Sequence, residues 1–463
     1  MLPTKIVIIG AGSAVFGLNT IATIMQSTML HGSQLVLIDQ DLKALDHMYR
    51  LAVRLNQEWD TKMQISAHSD HTEGLQEAEF VVMAIEVPPR EELWRSDFEI
   101  PLRYGVRQPY AENGGPGGFA HASRNINPVM KIIREMEKVC PNAWLVNFTN
   151  PMVRICDAIH RYSSINVVGL CHQILMGYTM VGMALSGDLG IEVPPGITSC
   201  HASPEEIPLR RKVALKALKL IQIQAAGLNH FTWMLKLHNL QNKQDIYPLF
   251  ANRWAAMDPE FEPLTRRIYE IFGFFPISGD EHLCEYLPWV SDPLTMPWKK
   301  YKLSLYDWET WSRMREKDRA YIVEMTNNAS NLQNLHEAES EGAKEIIENI
   351  AGKGNHYHLA VNLPNSGQIT NLPLEAIVET PGMVTGEGIK GENVGSIPES
   401  IAELCRRELE VVRLNVDAAV KGDRQAALQC LLFDPVITDL DTAQNILDDY
   451  LLTYRTHLPQ FWN

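Results

Sequence analysis

The sequence predicts an α/β protein with an N-terminal Rossmann-like, doubly wound sheet and a C-terminal α+β domain. Continuous apolar runs alternate with amphipathic stretches from residue 5 to about residue 170, which is typical of βαβ units around a parallel sheet. A Gly-x-Gly turn follows the first run, and polar or reactive side chains follow the later ones. We place the domain boundary between residues 195 and 196, so that the domains span 1–195 and 196–463.

Composition and charge narrow the classes of function. The chain has 463 residues, of which 45% are hydrophobic, and a formal net charge of −15, which argues against nonspecific binding to nucleic acid or to anionic membranes. Seven scattered cysteines lack the dense pattern of a secreted disulfide scaffold. With no charged and apolar leader and no membrane-spanning run, we expect a cytoplasmic protein whose partners are small molecules or further copies of itself.

The first strand and turn indicate a dinucleotide site. The run Lys5–Ile9 leads into Gly10-Ala11-Gly12-Ser13, and a helix is expected from Val15 to Met29. Glycines there let the backbone approach a pyrophosphate, which the helix N-terminus attracts. The third glycine of the usual pattern is replaced by Val15. A second strand ends at Asp39, whose carboxylate can accept from ribose hydroxyls and favours NAD over its phosphorylated relative. A nucleotide-free sheet with a glycine turn is the alternative.

Polar residues continue to appear at the ends of later strands. The strands predicted over Phe80–Ile85, Trp144–Phe148 and Asn166–Leu170 are followed by Glu86, Asn150 and Cys171. Parallel strands place their carboxyl ends at one edge of a sheet, so we expect these side chains to line a shared site, with Glu86 on the cofactor side. The glycine-rich stretch 113–118 is expected to be an irregular loop passing close to a ligand, or else a surface loop.

A helix is expected over 126–139 in the first half. In the second half, strands are expected near 220–226, 361–369 and 375–382, and helices over 314–350, 397–419, 425–432 and 442–452. Cys171 and His230 together are a plausible pair of ligands for a divalent cation, although each alone is more often a buried core residue. The segment 279–286 concentrates titratable groups in an aromatic frame, which suits general acid/base chemistry. Its alternative is a helix N-terminus capped by Ser278 or Asp280.

Several of these motifs together resemble glycoside hydrolase family four. The matching segments occur in order along nearly the whole chain: Gly10–Ser13, Asn147–Pro151, Gly169–His172, Gly227–Trp233 and Asn362–Gly367. Cys171 followed by His172, and the segment Gly279–Pro288, resemble the branch of α-galactosidases, α-glucosidases and α-galacturonidases. The phospho-glycosidase branch usually carries Asp or Asn after the cysteine, so a 6-phosphosugar is not the expected substrate.

The resemblance implies an unusual reaction, outside the two-carboxylate scheme of most glycosidases. Tightly bound NAD would take hydride from C3 of the sugar, and the resulting ketone would acidify the proton on C2. A base would remove that proton, the leaving group would depart from C1, water would add, and the reduced cofactor would return its hydride. A divalent cation, expected to be Mn²⁺, would polarise the C3 carbonyl as a Lewis acid.

The same resemblance implies roles for individual residues. Asp280 is the preferred base with Tyr286 as competitor, and His172 would assist the leaving group. Asn150 would contact a sugar hydroxyl, while His121, Arg124 or Arg90 would bind an anionic C6 group, as in an α-galacturonide. The remaining positions match the metal and NAD sites: Cys171 and His230 for the metal, and Gly10, Gly12, Ser13 and Asp39 for NAD.

Other readings remain open at this point. A sulfoquinovoside, or a neutral α-glucoside or α-galactoside, would be cleaved by the same mechanism. Two further rivals share the fold: an NAD-dependent sugar or hydroxy-acid dehydrogenase, which would release NADH, and a non-catalytic NAD-binding sensor. The family suggests a homodimer or homotetramer.

Overall fold

In the computed structural model, which describes residues 3–14, 16–108, 110–197, 203, 205–327 and 332–462, one sheet runs through both halves of the chain. Its strands are β1 (Lys5–Ile9), β2 (Gln34–Ile38), β3 (Gln64–His68), β4 (Phe80–Met83), β5 (Trp144–Asn147), β6 (Asn166–Gly169), β7 (Ile221–Leu228), β8 (Phe231–Asn239), β9 (Phe275–Pro276), β10 (Asn355–Pro364), β11 (Ile377–Thr385) and β12 (Gly388–Gly391).

The helices cover both faces of the sheet and its far end. They are α1 (Phe16–Gln26), α2 (Leu42–Glu58), α3 (His71–Gly74), α4 (Arg90–Arg103), α5 (Gly115–Val139), α6 (Met152–Tyr162), α7 (Gln173–Ala184), α8 (Ser186–Leu189), α9 (Ile207–Ala217), α10 (Tyr247–Ala256), α11 (Pro263–Phe272), α12 (Gly279–Leu283), α13 (Pro297–Lys300), α14 (Trp308–Thr326), α15 (Ala343–Ala351), α16 (Glu399–Lys421), α17 (Arg424–Phe433) and α18 (Leu440–Thr453).

The order of the strands confirms the predicted doubly wound fold. Strands β3-β2-β1-β4-β5-β6 are parallel neighbours in that order, which places the crevice of a dinucleotide fold where the order reverses beside β1. Strand β10 then joins the edge strand β6 in antiparallel fashion, and β11, β7, β8 and β9 follow. The carboxyl ends of β1, β4, β5 and β6 therefore lie along one edge. Among the described residues, no helix combines the length and apolar character needed to cross a bilayer.

The C-terminal half contributes to the core of the first. Ile346, Ile347 and Val361 pack in the same apolar cluster as Ile8 and Leu37. Because β10 also pairs with β6, the second half is built directly onto the edge of the first sheet. The boundary at 195/196 stays a prediction.

The glycine-rich stretch differs from the expectation. Residues 115–118 are not a loop but the first turn of α5, and the helix begins eleven residues earlier than predicted. Close packing explains the glycines, since a Cβ on Gly114 would lie 2.4 Å from the carbonyl oxygen of Glu285 and one on Gly118 would lie 2.3 Å from that of Asn113. The close neighbour of this segment is therefore the protein's own backbone. Strand β3 was also missed, because its sequence Gln64–His68 carries polar residues on an edge strand.

Candidate active site

The turn after β1 has the geometry of a dinucleotide-binding loop. Gly10 has φ +84°, and a Cβ there would lie 2.0 Å from the carbonyl oxygen of Ala84, so only glycine fits. The backbone N–H of Gly12 donates to Oδ2 of Asp39 at 2.8 Å. The hydroxyl of Ser13 accepts from the N–H of Phe16 at 3.2 Å and supports the first turn of α1. The glycine turn after β1 and Asp39 after β2 thus meet at two neighbouring strand ends, where the sequence predicts an NAD site.

A third glycine, overlooked in the sequence, completes this turn. Gly17 lies five positions after Gly12, and a Cβ there would lie 2.1 Å from the carbonyl oxygen of Ala11. Close approach of helix to strand is the task of the third glycine in the usual pattern. Here that task falls to Gly17, two residues later than the expected position.

Cys171 and His230 meet beyond the ends of two strands. Their Sγ and Nε2 atoms are 3.3 Å apart although 59 residues separate them in the chain. Cys171 follows β6, and His230 occupies the tight turn between β7 and β8 with φ +63°. The Nδ1 atom of His230 is buried and accepts or donates no hydrogen bond. A thiol and an imidazole converging in this way form a donor pair suited to Mn²⁺ or another divalent transition metal.

The protonation states of the pair also suit metal binding. Burial, reinforced by repulsion from His282 and His172, holds the pKa of His230 well below its usual 6.5, so its imidazole is neutral. Burial, with Glu341 and Glu379 nearby, raises the pKa of the Cys171 thiol well above 9.0. A bound cation reverses that preference, because a coordinating thiol loses its proton.

Two buried side chains hold His230 in place. Oε1 of Gln173 accepts from the backbone N–H of His230 and from the hydroxyl of Thr232, both at 3.0 Å. The carboxylate of Glu379 accepts from the side-chain amides of Asn229 and Asn362, both at 2.8 Å. Gln173 had no assigned role in the sequence analysis, and no local pattern could have revealed this contact.

A second cluster, His282 with Glu285 and Glu112, lies against His230. The rings of His230 and His282 stack with centroids 4.0 Å apart, and Nδ1 of His282 lies 3.1 Å from Oε1 of Glu285. Burial opposes the charged form of His282, but the bond to Glu285 and the nearby carboxylates raise its pKa to about 9. The sequence placed His282 and Glu285 in a candidate acid/base segment without assigning either a role.

This cluster can be compared with the Cys171–His230 pair as a cation site. Single donor atoms of Glu112, His230, His282 and Glu285 lie within 4.8 Å of one another. However, Oε2 of Glu285 already accepts the backbone N–H groups of Glu112, Asn113 and Gly114, at 2.6 to 3.2 Å. Glu112 is paired with Arg90 at 3.4 Å. Because these carboxylates are already satisfied, the pair Cys171–His230 is the better cation site.

The carboxylate of Asp280 is engaged inside the protein, and its role as the base stays a prediction. Its carboxylate is fully buried and accepts the backbone N–H groups of Leu264 and Thr265 at 2.9 and 2.6 Å. These are the first residues of α11, so Asp280 caps that helix across a tertiary contact. The alternative reading of this segment as a helix cap was therefore closer, although the capped helix is a different one.

The two other predicted catalytic residues contact residues of different segments. The hydroxyl of Tyr286 donates to the carbonyl of Asn229 at 3.4 Å, next to His230, and a small cavity links it to Pro151. Burial raises the pKa of Tyr286 well above 10.0. His172 is 67% exposed, and its Nδ1 lies 2.7 Å from Oε1 of Glu341. Glu341 raises the pKa of His172 above 6.5, which favours the charged form of its imidazole.

Asn150 has an unused acceptor, as a sugar-contacting residue requires. It follows β5 at the same edge as Cys171, and its side-chain oxygen is buried without a hydrogen-bond partner. Such an orphaned acceptor in a native protein calls for an explanation, and a ligand hydroxyl is one.

Arg124 is engaged in a buried ion pair, and its contact with a substrate stays a prediction. Both of its terminal nitrogens donate to the carboxylate of Asp97 at 2.6 Å, and the side chains of both residues are no more than 2% exposed. Tyr454 donates to the same carboxylate at 2.6 Å and ties the C-terminal segment to α4. The arginine is thus part of the core between α4, α5 and the end of the chain.

Glu86, His121 and Arg90 pair with one another, while Nη1 of Arg90 is buried without a hydrogen-bond partner. Nε2 of His121 lies 2.9 Å from the Glu86 carboxylate, and its Nδ1 lies 2.9 Å from the carbonyl of Glu112. Arg90 approaches Glu86 at 3.6 Å and Glu112 at 3.4 Å. Whether Glu86 contacts a cofactor and His121 a substrate stays a prediction.

The Glu86–His121 pair predicts a pH-dependent stability. Burial disfavours the charged forms of both residues, but the attraction between the two charges outweighs this effect. The pKa of Glu86 is therefore lowered from 4.5 to about 2, and that of His121 is raised above 6.5. The stabilisation is lost as pH falls from 4.5 towards 2 and as pH rises above 6.5 through the raised pKa of His121. We expect Glu86→Gln to cost on the order of 1 kcal/mol of unfolding free energy near pH 5.5, and less at higher pH.

Urea unfolding across this pH range measures the cost. Glu99→Gln, at an exposed position of the same helix α4, is the control and should show no such dependence. An equal cost of Glu86→Gln at every pH above 4.5 would contradict the ion-pair assignment.

Comparison with known proteins agrees with this geometry. The models "Family 4 glycosyl hydrolase" and "Family 4 glycosyl hydrolase C-terminal domain" match residues 5–185 and 225–437. An α-glucosidase from Erwinia rhapontici is 29% identical, with 96% of this chain and 97% of that protein aligned. An α-galactosidase from Bacillus subtilis is 28% identical over 99% of both chains.

A solved structure shares the fold. A 6-phospho-α-glucosidase from gut microorganisms, in complex with NAD and Mn²⁺, superposes with a TM-score of 0.75 and 19% identity over 99% of each chain. At this identity the likeness concerns the fold alone. The two family models, in contrast, cover most of the chain and both of its halves. This chain is therefore a glycosidase that belongs to family 4 of the glycosyl hydrolases.

Proposed function

We propose that this enzyme is an NAD- and divalent-metal-dependent glycosidase that cleaves α-linked hexosides. The observation that carries the proposal is the meeting of Cys171 Sγ and His230 Nε2 at 3.3 Å, at the sheet edge where the glycine turn also lies. A thiolate and a neutral imidazole occupy only two of a cation's coordination positions, so most positions stay open for a substrate. The relatives named α-glucosidase and α-galactosidase support the α-configuration.

The residues present fit both groups. When bound, NAD supplies reversible oxidation at C3 of the sugar, and a divalent cation such as Mn²⁺ supplies Lewis-acid polarisation. Cys171 and His230 would hold the cation, and Gln173 would keep His230 oriented. The turn at Gly10 and Gly12 would receive the pyrophosphate at the N-terminus of α1. Asn150 would accept from a sugar hydroxyl.

We propose Tyr286 as the group that removes the C2 proton. Its hydroxyl is adjacent to the backbone that carries His230, whereas the Asp280 carboxylate is committed to α11. Burial disfavours the phenolate, so a cation held next to Tyr286 is needed to bring the phenol into its working range. His172, which is exposed and whose pKa is raised by Glu341, would donate a proton to the departing oxygen.

We propose that the C6 group of the substrate is uncharged. The three cations suggested for an anionic C6 group are all paired: Arg124 with Asp97, His121 with Glu86, and Arg90 with Glu86 and Glu112. A carboxylate or sulfonate at C6 would have to compete with these carboxylates. An α-glucoside or α-galactoside therefore fits better than a galacturonide or a sulfoquinovoside.

One assay tests the function and its rivals. Purified enzyme with NAD and Mn²⁺ is incubated in D₂O with α-glucosides, α-galactosides, α-galacturonides and α-sulfoquinovosides. We expect release of a neutral sugar that carries deuterium at C2, without accumulation of NADH. Tyr286→Phe should abolish both release and exchange while leaving Mn²⁺ affinity unchanged. Steady NADH accumulation without sugar release would identify a dehydrogenase, and product without deuterium would refute the C2 step.

A second prediction concerns the nucleotide. Asp39→Ala removes the acceptor for the ribose hydroxyls and leaves the N–H groups of Gly12 and Asp41 without their present partner, at 2.8 and 2.9 Å. We expect NAD to bind roughly ten- to a hundredfold more weakly, since a hydrogen bond to a charged group is worth about 1.5 to 3 kcal/mol. Calorimetric titration with NAD measures this. Asp41→Ala, which removes only the cap of α2, should leave NAD affinity within about threefold, and an equal loss in both variants would contradict the assignment.

The family resemblance further leads us to propose a cytoplasmic homodimer or homotetramer. Light scattering of the purified chain tests the assembly, and a monomer at micromolar concentration would refute it.

A further inference from the structure

Glu379 is a buried carboxylate that has no basic partner in the part of the chain that the structure describes. Among the described residues, the donors to its oxygens are all neutral. Oε2 accepts from the side-chain amides of Asn229 and Asn362, both at 2.8 Å, and Oε1 lies 3.3 Å from the hydroxyl of Thr232. Burial raises the pKa of Glu379 above 4.5. A carboxylate is costly to ionise in the interior unless an opposite charge lies nearby.

The sheet places Glu379 between the two strands that lead to the proposed metal ligands. Backbone pairing aligns one residue from each of β6, β10, β11 and β7 in a single row: Gly169, Asn362, Glu379 and Gly227. Cys171 follows this row by two residues after β6, and His230 follows it by three residues after β7. The carboxylate of Glu379 therefore belongs to the same end of the sheet as the Cys171–His230 pair.

Hydrogen bonds connect this carboxylate to both proposed ligands. The side chain of Asn229, which donates to Glu379, also hydrogen-bonds the thiol of Cys171, and this contact by itself lowers the pKa of the thiol. On the other side, the hydroxyl of Thr232 lies within hydrogen-bond distance of Glu379 and of the amide oxygen that accepts the backbone N–H of His230. A change in the charge of Glu379 is therefore transmitted to both ligands.

Three other carboxylates lie around the pair, and each has a basic partner. These partners are His172 for Glu341 at 2.7 Å, His282 for Glu285 at 3.1 Å and Arg90 for Glu112 at 3.4 Å. Among the described residues around the pair, Glu379 is the carboxylate without such a partner, and its field acts on Cys171. A thiolate at Cys171 and a carboxylate at Glu379 together carry two negative charges, which equals the charge of one divalent cation.

We propose that Glu379 supplies the second negative charge of the metal site and acts, through Asn229 and Thr232, on a divalent cation held by Cys171 and His230. The inference rests on the proposed metal-dependent function and deepens it, because it explains how the chain compensates a doubly charged ion with a single anionic ligand. Glu379 is a positioning residue, since it acts through its neighbours. Residues that support metal ligands in this way typically change metal affinity about 10- to 100-fold when they are replaced.

Glu379→Gln tests the charge because it can keep the hydrogen bonds. The new amide oxygen can accept from both asparagines in place of Oε2, and the new amide nitrogen can donate to Thr232, whose hydroxyl still donates to Gln173 at 3.0 Å. Mn²⁺ alone is titrated into the metal-free full chain, and free Mn²⁺ is measured by electron paramagnetic resonance. We expect the Kd for Mn²⁺ to rise about 10- to 100-fold. The unfolding temperature of the metal-free variant should equal or exceed that of the wild type, because no charge is buried.

Two further variants serve as controls. Glu379→Asp keeps the charge but shortens the side chain, so it should lower the unfolding temperature of the metal-free protein while raising the Kd for Mn²⁺ less than Glu379→Gln does. Glu387→Gln removes an exposed carboxylate in the turn between β11 and β12 and should change neither quantity. Opposite patterns in the Gln and Asp variants would separate the charge of Glu379 from its packing.

The outcomes distinguish this inference from the proposed function. Unchanged Mn²⁺ affinity in Glu379→Gln, in an enzyme that cleaves α-hexosides, would overturn the inference and leave the function standing. A Glu379→Gln protein that is less stable without metal, together with an equal or larger loss of affinity in Glu379→Asp, would also overturn it, because packing alone gives that pattern. Weaker Mn²⁺ binding by Glu379→Gln, together with no sugar release by the wild type, would refute the glycosidase function and support the charge assignment. A wild type that binds no Mn²⁺ would refute both.

Discussion

Cys171→Ser should abolish turnover and strip the enzyme of its metal. The serine hydroxyl stays protonated near neutral pH, so the variant loses the anionic donor that a deprotonated thiol supplies to the cation. Lewis-acid polarisation is worth several kcal/mol in the transition state, which corresponds to a loss of about 10³-fold or more in kcat/KM. The metal content after dialysis against Mn²⁺ and the rate on the preferred α-hexoside measure the two effects.

Controls for this variant are available in the same chain. Cys140→Ala alters a buried cysteine at the end of α5 and should retain both metal and activity. NAD affinity of Cys171→Ser should match the wild type, because the glycine turn is untouched. A chelator should inactivate the wild type and added Mn²⁺ should restore it. Full activity of Cys171→Ser with normal metal content would remove the basis of the proposed function.

Arg124→Met should destabilise the protein without touching substrate binding directly. The change leaves the Asp97 carboxylate buried, with Tyr454 as its remaining side-chain donor. Removing one partner of a buried ion pair lowers the free energy of unfolding by about 3 to 5 kcal/mol, because the remaining charge stays buried without an opposite charge. The loss is measured as a shift in the midpoint of urea or thermal unfolding.

A double variant distinguishes the structural role from a substrate role. Arg124→Met combined with Asp97→Asn removes both charges while keeping an acceptor for Tyr454, so it should recover much of the lost stability. Arg134→Met, on the exposed face of the same helix α5, breaks only a surface pair with Glu137 and should cost less than about 1 kcal/mol. If Arg124→Met instead raised KM at unchanged stability, the arginine would belong to the substrate site.

Residues whose role depends on local backbone geometry were predictable. Gly10 and Gly12 were found because a strand followed by a tight turn and a helix has a recognisable pattern, and Asp39 because it ends the next strand. Cys171 and His230 were paired because a thiolate and an imidazole are plausible metal ligands and because both positions match the metal ligands of the family that the sequence resembles. Gly17 was missed because its contact with Ala11 depends on the angle at which α1 leaves the turn.

Residues whose role depends on contacts across the fold were assigned less well. Asp280 looks in the sequence like an acid in an aromatic frame, yet the fold places the start of α11 directly against it. Arg124 was predicted to bind an anionic C6 group, yet Asp97 and Tyr454 approach it from α4 and from the C-terminal end. Gly114 is explained by the backbone of Glu285, which lies far away in sequence.

The sequence by itself determined the parallel sheet, its glycine turn and the edge at which polar side chains collect, because strand periodicity and turn chemistry are local properties of the chain. Only the tertiary structure decided which charged side chains pair within the protein and which remain available to a ligand. The physical reason is that a buried charge is stable only beside groups that compensate it. For Arg124, Asp280 and His282, at least one neighbour that sets the environment comes from a segment brought near by folding.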